Sequence, residues 1–179
     1  MRSFKQYING KAVAAKSGKT ITVEDPSTRT KIATVPHSGK EDINAAVAAA
    51  RAARPRAYAP YSGYTVGAAA ADENGGIHVG ANMEGVDYTL TVHAEQHTMN
   101  AMRLATDARA VALAFAVQSP AEAPAPCGIC RQRIREFAAS LSIPIVAVNL
   151  DERLEILRIN RYPFDLLLPN SFGPENIGK

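Results

Sequence analysis

The sequence predicts an α/β fold: a layered α/β/α sandwich preceded by an N-terminal β-hairpin arm. Three observations predict it. The first 36 positions hold β-branched runs divided by turn residues, an alanine-rich helical stretch follows, and from Val66 onward two strand–helix–strand passages come in a row. Tyr7-Ile8 and Ala12-Val13 flank Asn9-Gly10, a two-residue hairpin signal. Thr20–Val23 and Ile32–Val35 form a second pair of β-branched runs, divided by the turn Asp25-Pro26-Ser27, and Pro36 closes the second run. Ser38 and Glu41 have the spacing of a capping box. A helix over 39–53 follows, with Ile43, Val47 and Ala50 on one face, and Pro55 and Pro60 end or kink it. Val66–Ala71 and Ile77–Ala81 read as short strands joined by Asn74-Gly75-Gly76. A helix is expected to begin near Thr91 or Val92 and run to about Ala105. Ala110–Val117 reads as a strand buried on both faces. A helix over Cys127–Ala138, a strand over Ile143–Val148 and a final strand over Leu154–Ile159 complete the expectation. Domain boundaries follow the composition: an arm over 1–38 and a main domain over 39–179.

A chain of 179 residues supports one compact domain with some surplus. No apolar run approaches the roughly 20 residues of a membrane span. The start, Met1 to Gln6, has no apolar stretch behind it and does not read as a signal peptide. Both cysteines fall in the pair Cys127/Cys130, which leaves none for a disulfide framework and suits a reducing cytoplasm. The formal charge of +3 is scattered, and there is no tryptophan to stack on a base, so neither a nucleic-acid nor a membrane partner is expected.

The chemistry concentrates in His93-Ala94-Glu95 and Pro126-Cys127-Gly128-Ile129-Cys130. One imidazole and two thiolates form a soft N/S set suited to Zn2+, and three protein ligands leave a fourth tetrahedral position open, as in catalytic sites. Water in that position has its pKa lowered to about 7. Glu95, two residues from His93, is placed to shuttle protons beside it. Each half alone is weak, since Cys-x-x-Cys also serves redox pairs and structural zinc knuckles. A rival pairing of His93 with His97 would need a glutamate one position earlier and would leave both cysteines unexplained. His97 is therefore read as structural or as a residue behind the metal ligands, and His37 and His78 as binding nothing.

From about Tyr58 to Gly178 the chain resembles the cytidine deaminases. The carrying segments are Tyr61–Ala69 (Tyr-Ser-Gly-Tyr-Thr-Val-Gly-Ala-Ala), Gly80–Glu84, Thr91–Gln96, Pro126–Gln132 and Leu167–Pro174. The resemblance implies a five-stranded mixed sheet between helices and one zinc per subunit, held by His93, Cys127 and Cys130. It implies hydrolytic deamination of cytidine or deoxycytidine to the uridine product by a zinc-bound hydroxide, with Glu95 as proton shuttle. By the same resemblance Asn82 and Glu84 would bind the ribose hydroxyl, Tyr64 would line the pyrimidine pocket, and the Ala94 N–H would meet the base carbonyl. Tyr88 and Phe172 would reach a neighbouring subunit's pocket. A homo-oligomer is implied, with a tetramer favoured and a dimer open.

Departures from the family pattern touch the same pocket. Gly85-Val86-Asp87 stands where Asn-Ala-Ser is common, and Tyr64 where Phe is usual. Both leave open a modified cytosine nucleoside or a cytosine antibiotic of the blasticidin kind. His93 and Gln96 are similar to the larger dimeric subclass, while the Glu84-to-His93 spacing is that of the small tetrameric one. A zinc-stabilised scaffold without catalysis is the remaining alternative, and retention of Glu95 speaks against it. The first 54 residues resemble the start of aldehyde dehydrogenases, but no dinucleotide loop or dehydrogenase nucleophile follows. Isolated hairpins are marginal in water, so the arm is expected to dock on its own or a sister subunit.

Overall fold

A computed structural model describes the backbone of residues 2–3, 6–8, 11–13, 20–24, 31–36 and 40–42, and the backbone and side chains of 43–120, 122 and 124–178. Near the N-terminus β1 (Arg2–Ser3), β4 (Thr20–Glu24) and β5 (Lys31–Pro36) form a three-stranded sheet in the order β1-β5-β4. β2 (Gln6–Ile8) and β3 (Lys11–Val13) pair antiparallel, with Tyr7 opposite Ala12 and Ile8 opposite Lys11. The parallel pairing of β1 with β5 has no local signal in the sequence. Asn9-Gly10, Asp25-Pro26-Ser27, His37 and Ser38 lie outside the described residues.

The main sheet has five strands in the order β10-β9-β8-β6-β7: β6 (Gly67–Asp72), β7 (Ile77–Ala81), β8 (Ala110–Val117), β9 (Pro144–Leu150) and β10 (Ile156–Pro163). β8 and β9 are parallel and the other pairs antiparallel, so the sheet is mixed. The central strands are buried on both faces, and alternate residues divide between two cores. On one face Ala69, Ala114, Ala116, Val146 and Val148 pack with Ala46, Val47 and Ala50 of α1 (Lys40–Ala53). On the other, Ala68, Ala70, Leu113, Phe115 and Ile145 pack with Met99 and Met102 of α2 (Ala94–Ala105), Ile134 of α3 (Gly128–Phe137) and Phe164 of α4 (Phe164–Leu167). The sandwich thus has α1 as one outer layer and α2 with α3 as the other.

Two glycines show how closely the layers approach. A Cβ on Gly67 would lie 2.2 Å from the Ala50 carbonyl of α1, and one on Gly80 would lie 2.6 Å from the Thr98 nitrogen of α2. Backbone fills both places, so any larger residue forces a helix off the sheet.

Two boundaries differ from the sequence expectation for identifiable reasons. α2 begins at Ala94 rather than at Thr91 or Val92. Val92 and Met83 exchange both backbone hydrogen bonds at 2.9 Å, which holds 92 extended. β10 begins at Ile156 rather than Leu154. The Asp151 carboxylate accepts the N–H groups of Arg153 and Glu155, and Leu154 takes the left-handed φ of 62°, so 151–155 is a turn.

Candidate active site

Both signature segments fold as helix entries. His93 (φ −75°, ψ 153°) is the N-cap of α2, and Gln96 Oε1 turns back to accept the His93 N–H at 3.1 Å. Cys127 (φ −67°, ψ 169°) is the N-cap of α3, so Cys130 lies one turn along at the third helical position. The helices therefore bring two N-termini, with their free N–H groups and positive dipole ends, to one point. Cys127 is a cap rather than a member of the first turn, because extended backbone carries Pro126 into it. This does not part the two sulfurs: His93 Nδ1 lies 3.2 Å from Cys127 Sγ and 3.3 Å from Cys130 Sγ.

All three donor atoms fall within 4.8 Å of one another. A tetrahedral zinc with ordinary Zn–N and Zn–S bonds separates such donors by about 3.6 Å, so the cluster fits the ion after small adjustments. One imidazole and two sulfurs are also a donor set that zinc takes. Burial pushes the Cys130 thiol far above its usual range, and the Glu95 carboxylate and Cys127 sulfur push it further. Zinc among these groups reverses that balance, since a coordinating thiol gives up its proton. Among the described residues, His93, Cys127 and Cys130 are the group that can hold the ion.

Beside the cluster opens a cavity of about 330 Å³. Glu95, at the second position of α2, lines it and is only 7 % exposed. Burial raises its carboxyl above the usual range. Hydrogen bonds from its own N–H and from Cys130, and the nearby His93 ring, pull the other way. A buried carboxyl raised above its usual range suits general acid–base work. Ala94, fully buried at the first helical position, lines the cavity next to it, where first-turn N–H groups have no helical partner.

Asn82, Glu84 and Tyr64 also line the cavity. Asn82 Oδ1 accepts the Val66 N–H at 2.7 Å, and its Nδ2 donates to the Tyr64 carbonyl at 2.9 Å. Glu84 Oε2 accepts the N–H groups of Tyr61 (2.9 Å) and Ser62 (3.2 Å), and its Oε1 accepts the Ser62 hydroxyl. Those bonds, the Ser62 hydroxyl foremost, hold the Glu84 carboxyl below the usual carboxylate range. Tyr64 is 42 % exposed, and its hydroxyl has no hydrogen-bond partner among the described residues. Burial and the Glu95 carboxylate push the phenol up while the Arg54 guanidinium works against them, so it stays neutral.

Tyr88 and Phe172 are not brought to this cavity. Each is 63 % exposed; Tyr88, at φ 59°, packs its ring near that of Tyr61, and Phe172 is held through its carbonyl by Gln132 Nε2 at 3.0 Å. His97 turns away from the cluster and its Nδ1 meets the Ala81 carbonyl at 3.0 Å, while His78 pairs with the buried Asp72 at 2.7 Å. The reading of residue types missed the roles of Ser62, Thr91, Phe115 and Val117, which also line the cavity. Ser62 had a signal: it follows Pro60 in a turn sequence, and its Oγ accepts the Tyr64 N–H at 2.9 Å. Phe115 and Val117 share strand parity with Leu113, but the sequence alone does not say which face meets the cavity.

Comparison with known proteins agrees with this geometry. Residues 40–145 match the family model described as the cytidine and deoxycytidylate deaminase zinc-binding region, and residues 12–65 match that of the aldehyde dehydrogenase family. The chain is 35 % identical over 137 residues to a cytidine deaminase of Sporosarcina psychrophila, covering 76 % of this chain and 95 % of that protein. It is 32 % identical over 142 residues to one of Photorhabdus laumondii, but that match covers only 43 % of the relative. Among solved structures it is similar to cytidine deaminase from Burkholderia pseudomallei, with a TM-score of 0.64, 31 % identity, and coverage of 72 % of this chain and 98 % of that one. Cytidine deaminase from Mycobacterium tuberculosis is a further neighbour, with a TM-score of 0.57 and 32 % identity.

Proposed function

The chain belongs to the cytidine and deoxycytidylate deaminase family, and from that premise we propose that it hydrolyses cytidine or deoxycytidine to the uridine product and ammonia. The observation that carries the reading is the juxtaposition of a three-donor N/S cluster with the buried Glu95 carboxyl on the wall of one cavity. When bound by His93, Cys127 and Cys130, zinc supplies a Lewis acid that brings the pKa of water near neutrality. Glu95 would take one proton from water as its oxygen adds at C4 and deliver it to the pyrimidine N3. It would then move the proton of the new C4 hydroxyl to the amine, which leaves as ammonia while the C4 carbonyl forms. The Ala94 N–H fixes the base carbonyl, and Tyr64 covers the ring.

Asn82 and Glu84 hold the ribose hydroxyl in this reading. Glu84 is kept ionised by its bonds to 61–62 and can accept from a sugar hydroxyl. The walls favour a nucleoside over a nucleotide: among the described residues two acidic side chains and neither lysine nor arginine line the cavity, which offers a 5′-phosphate no cation. The Tyr64 hydroxyl, without a hydrogen-bond partner among the described residues, favours a second reading, a cytosine nucleoside with an added polar group on the base.

We also read residues 1–38 as a separate arm on a catalytic domain of 39–179, in a cytoplasmic homo-oligomer, a tetramer before a dimer. Tyr88 and Phe172, exposed here, would complete a neighbour's site. No helix among the described residues is long and apolar enough to cross a membrane.

The test is ammonia release from cytidine, deoxycytidine, cytosine, deoxycytidylate and base-modified cytidines, with Glu95→Ala as control. Turnover of nucleosides and none by the variant is expected. A zinc-loaded protein inert on every substrate would leave the scaffold reading instead. Light scattering reads the subunit number beside it.

A further inference from the structure

Three polar side chains of α3 hold the C-terminal segment. Arg131 Nη1 donates to the Leu167 carbonyl at 2.9 Å, Gln132 Nε2 to the Phe172 carbonyl at 3.0 Å, and Arg135 Nε to Ser171 Oγ at 3.0 Å, with its Nη2 on Glu175. Arg131 differs from the other two. Its Nε also donates to the Pro126 carbonyl at 2.6 Å, and its backbone N–H donates to the Cys127 carbonyl at 2.9 Å. One residue therefore grips the two carbonyls on either side of the Cys127 nitrogen–carbon unit, and ties them to a segment forty residues on.

Cys127 needs such a hold. Cys130 is buried, whereas Cys127 is exposed and sits as a cap with no helical turn before it. The ring of Pro126 fixes φ, so ψ is the freedom left in the peptide plane that leads into Cys127. Where that carbonyl points sets where the Cys127 Cα–Cβ bond points. A guanidinium offers donors in a rigid planar fork and stays charged at any working pH, so it can meet two carbonyls at once. The far anchor is firm, since Leu167 and Leu168 pack against the core and Phe164 is fully buried.

We infer that Arg131 is a positioning residue of the metal site, through which the C-terminal segment braces the Cys127 ligand. The inference rests on the zinc reading of the cluster but not on catalysis, so its test reads metal affinity. Zinc-loaded, full-length protein is competed against a chromogenic chelator, and the cobalt-substituted protein is followed by absorption. Arg131→Ala should weaken zinc retention about ten- to a hundredfold, the range for losing a partner that orients a ligand. Arg131→Lys should fall between, because one ammonium reaches one carbonyl, and it carries the test if the alanine variant does not fold. Arg135→Gln loosens the same segment without touching Pro126 and should leave zinc retention unchanged. Zinc retention of the Arg131 variants within about twofold of the parent would overturn the inference. So would an equal loss in Arg135→Gln, since the segment rather than Arg131 would then be responsible. Failure of the parent to hold zinc would instead strike the zinc reading.

Discussion

The two ends of the cavity are built on opposite terms. At the metal end His93 Nδ1 lies 3.2 and 3.3 Å from the sulfurs of Cys127 and Cys130, a donor set gathered where a cation can take all three. At the other end Asn82 and Glu84 have their polar atoms bonded to the backbone of 61–66 before any ligand arrives. One end is unfinished without its guest and the other is complete without it. Substitution at the first should therefore abolish a property, whereas substitution at the second should grade it.

The largest effect is expected at the metal end. Cys130→Ala leaves two donors where three are needed, so bound zinc measured on the purified protein should drop to background and deamination with it. Chelation of the parent should reproduce the same loss, and added zinc should restore it. Cys130→Ala that retains stoichiometric zinc would break the contrast, because the cluster would then not be the site.

Glu95 sharpens the contrast from within that end. Glu95→Gln keeps the shape but holds no transferable proton, and kcat should fall by about 10²- to 10⁴-fold, the range for a lost general acid–base group. Zinc content should be unchanged, since Glu95 contacts Cys130 but is not one of the three donors. Loss of zinc together with rate would move Glu95 into the metal set.

At the finished end Asn82 serves structure as well as ligand. Asn82→Ala strands the Val66 N–H and the Tyr64 carbonyl near the cavity floor, and unfolding stability should fall by about 1–3 kcal/mol for the unmet partners. KM should rise in step, because the loop that carries Tyr64 loosens. Denaturant titration beside nucleoside kinetics separates the two. A rise in KM with full stability would make Asn82 a contact only.

How much of this could be read in advance follows the range of each interaction. The five main strands and the helices at 40–53, 94–105 and 128–137 were legible because alanine-rich and β-branched runs carry their own periodicity. Spacing and residue type also named His93, Glu95, Cys127 and Cys130, which the fold then gathers. What was not legible depends on partners far away in sequence. Val92 is held extended by Met83, so α2 starts late, and Arg131 reaches Leu167 across 36 residues. The engagement of Glu84 by Ser62 escaped for the same reason, since no pattern links positions 22 apart.

Tyr64 gives the smallest expected effect and the finest test of the contrast. It belongs to the finished wall by its backbone, yet its hydroxyl has no hydrogen-bond partner among the described residues and faces the same space as Glu95. Tyr64→Phe removes one neutral donor without changing the ring, so a hydrogen bond to the ligand would be worth about 0.5–1.5 kcal/mol, or roughly two- to tenfold in kcat/KM. For cytidine the change should be near the bottom of that range. For a cytidine bearing a hydroxyl or amino group on the base it should be near the top, because an unmet polar group in the complex costs more than a missing bond gains. Equal effects on both substrates would mean that the hydroxyl faces water in the complex. The wall would then discriminate by shape alone, and the reading of a polar-substituted base would lose its support.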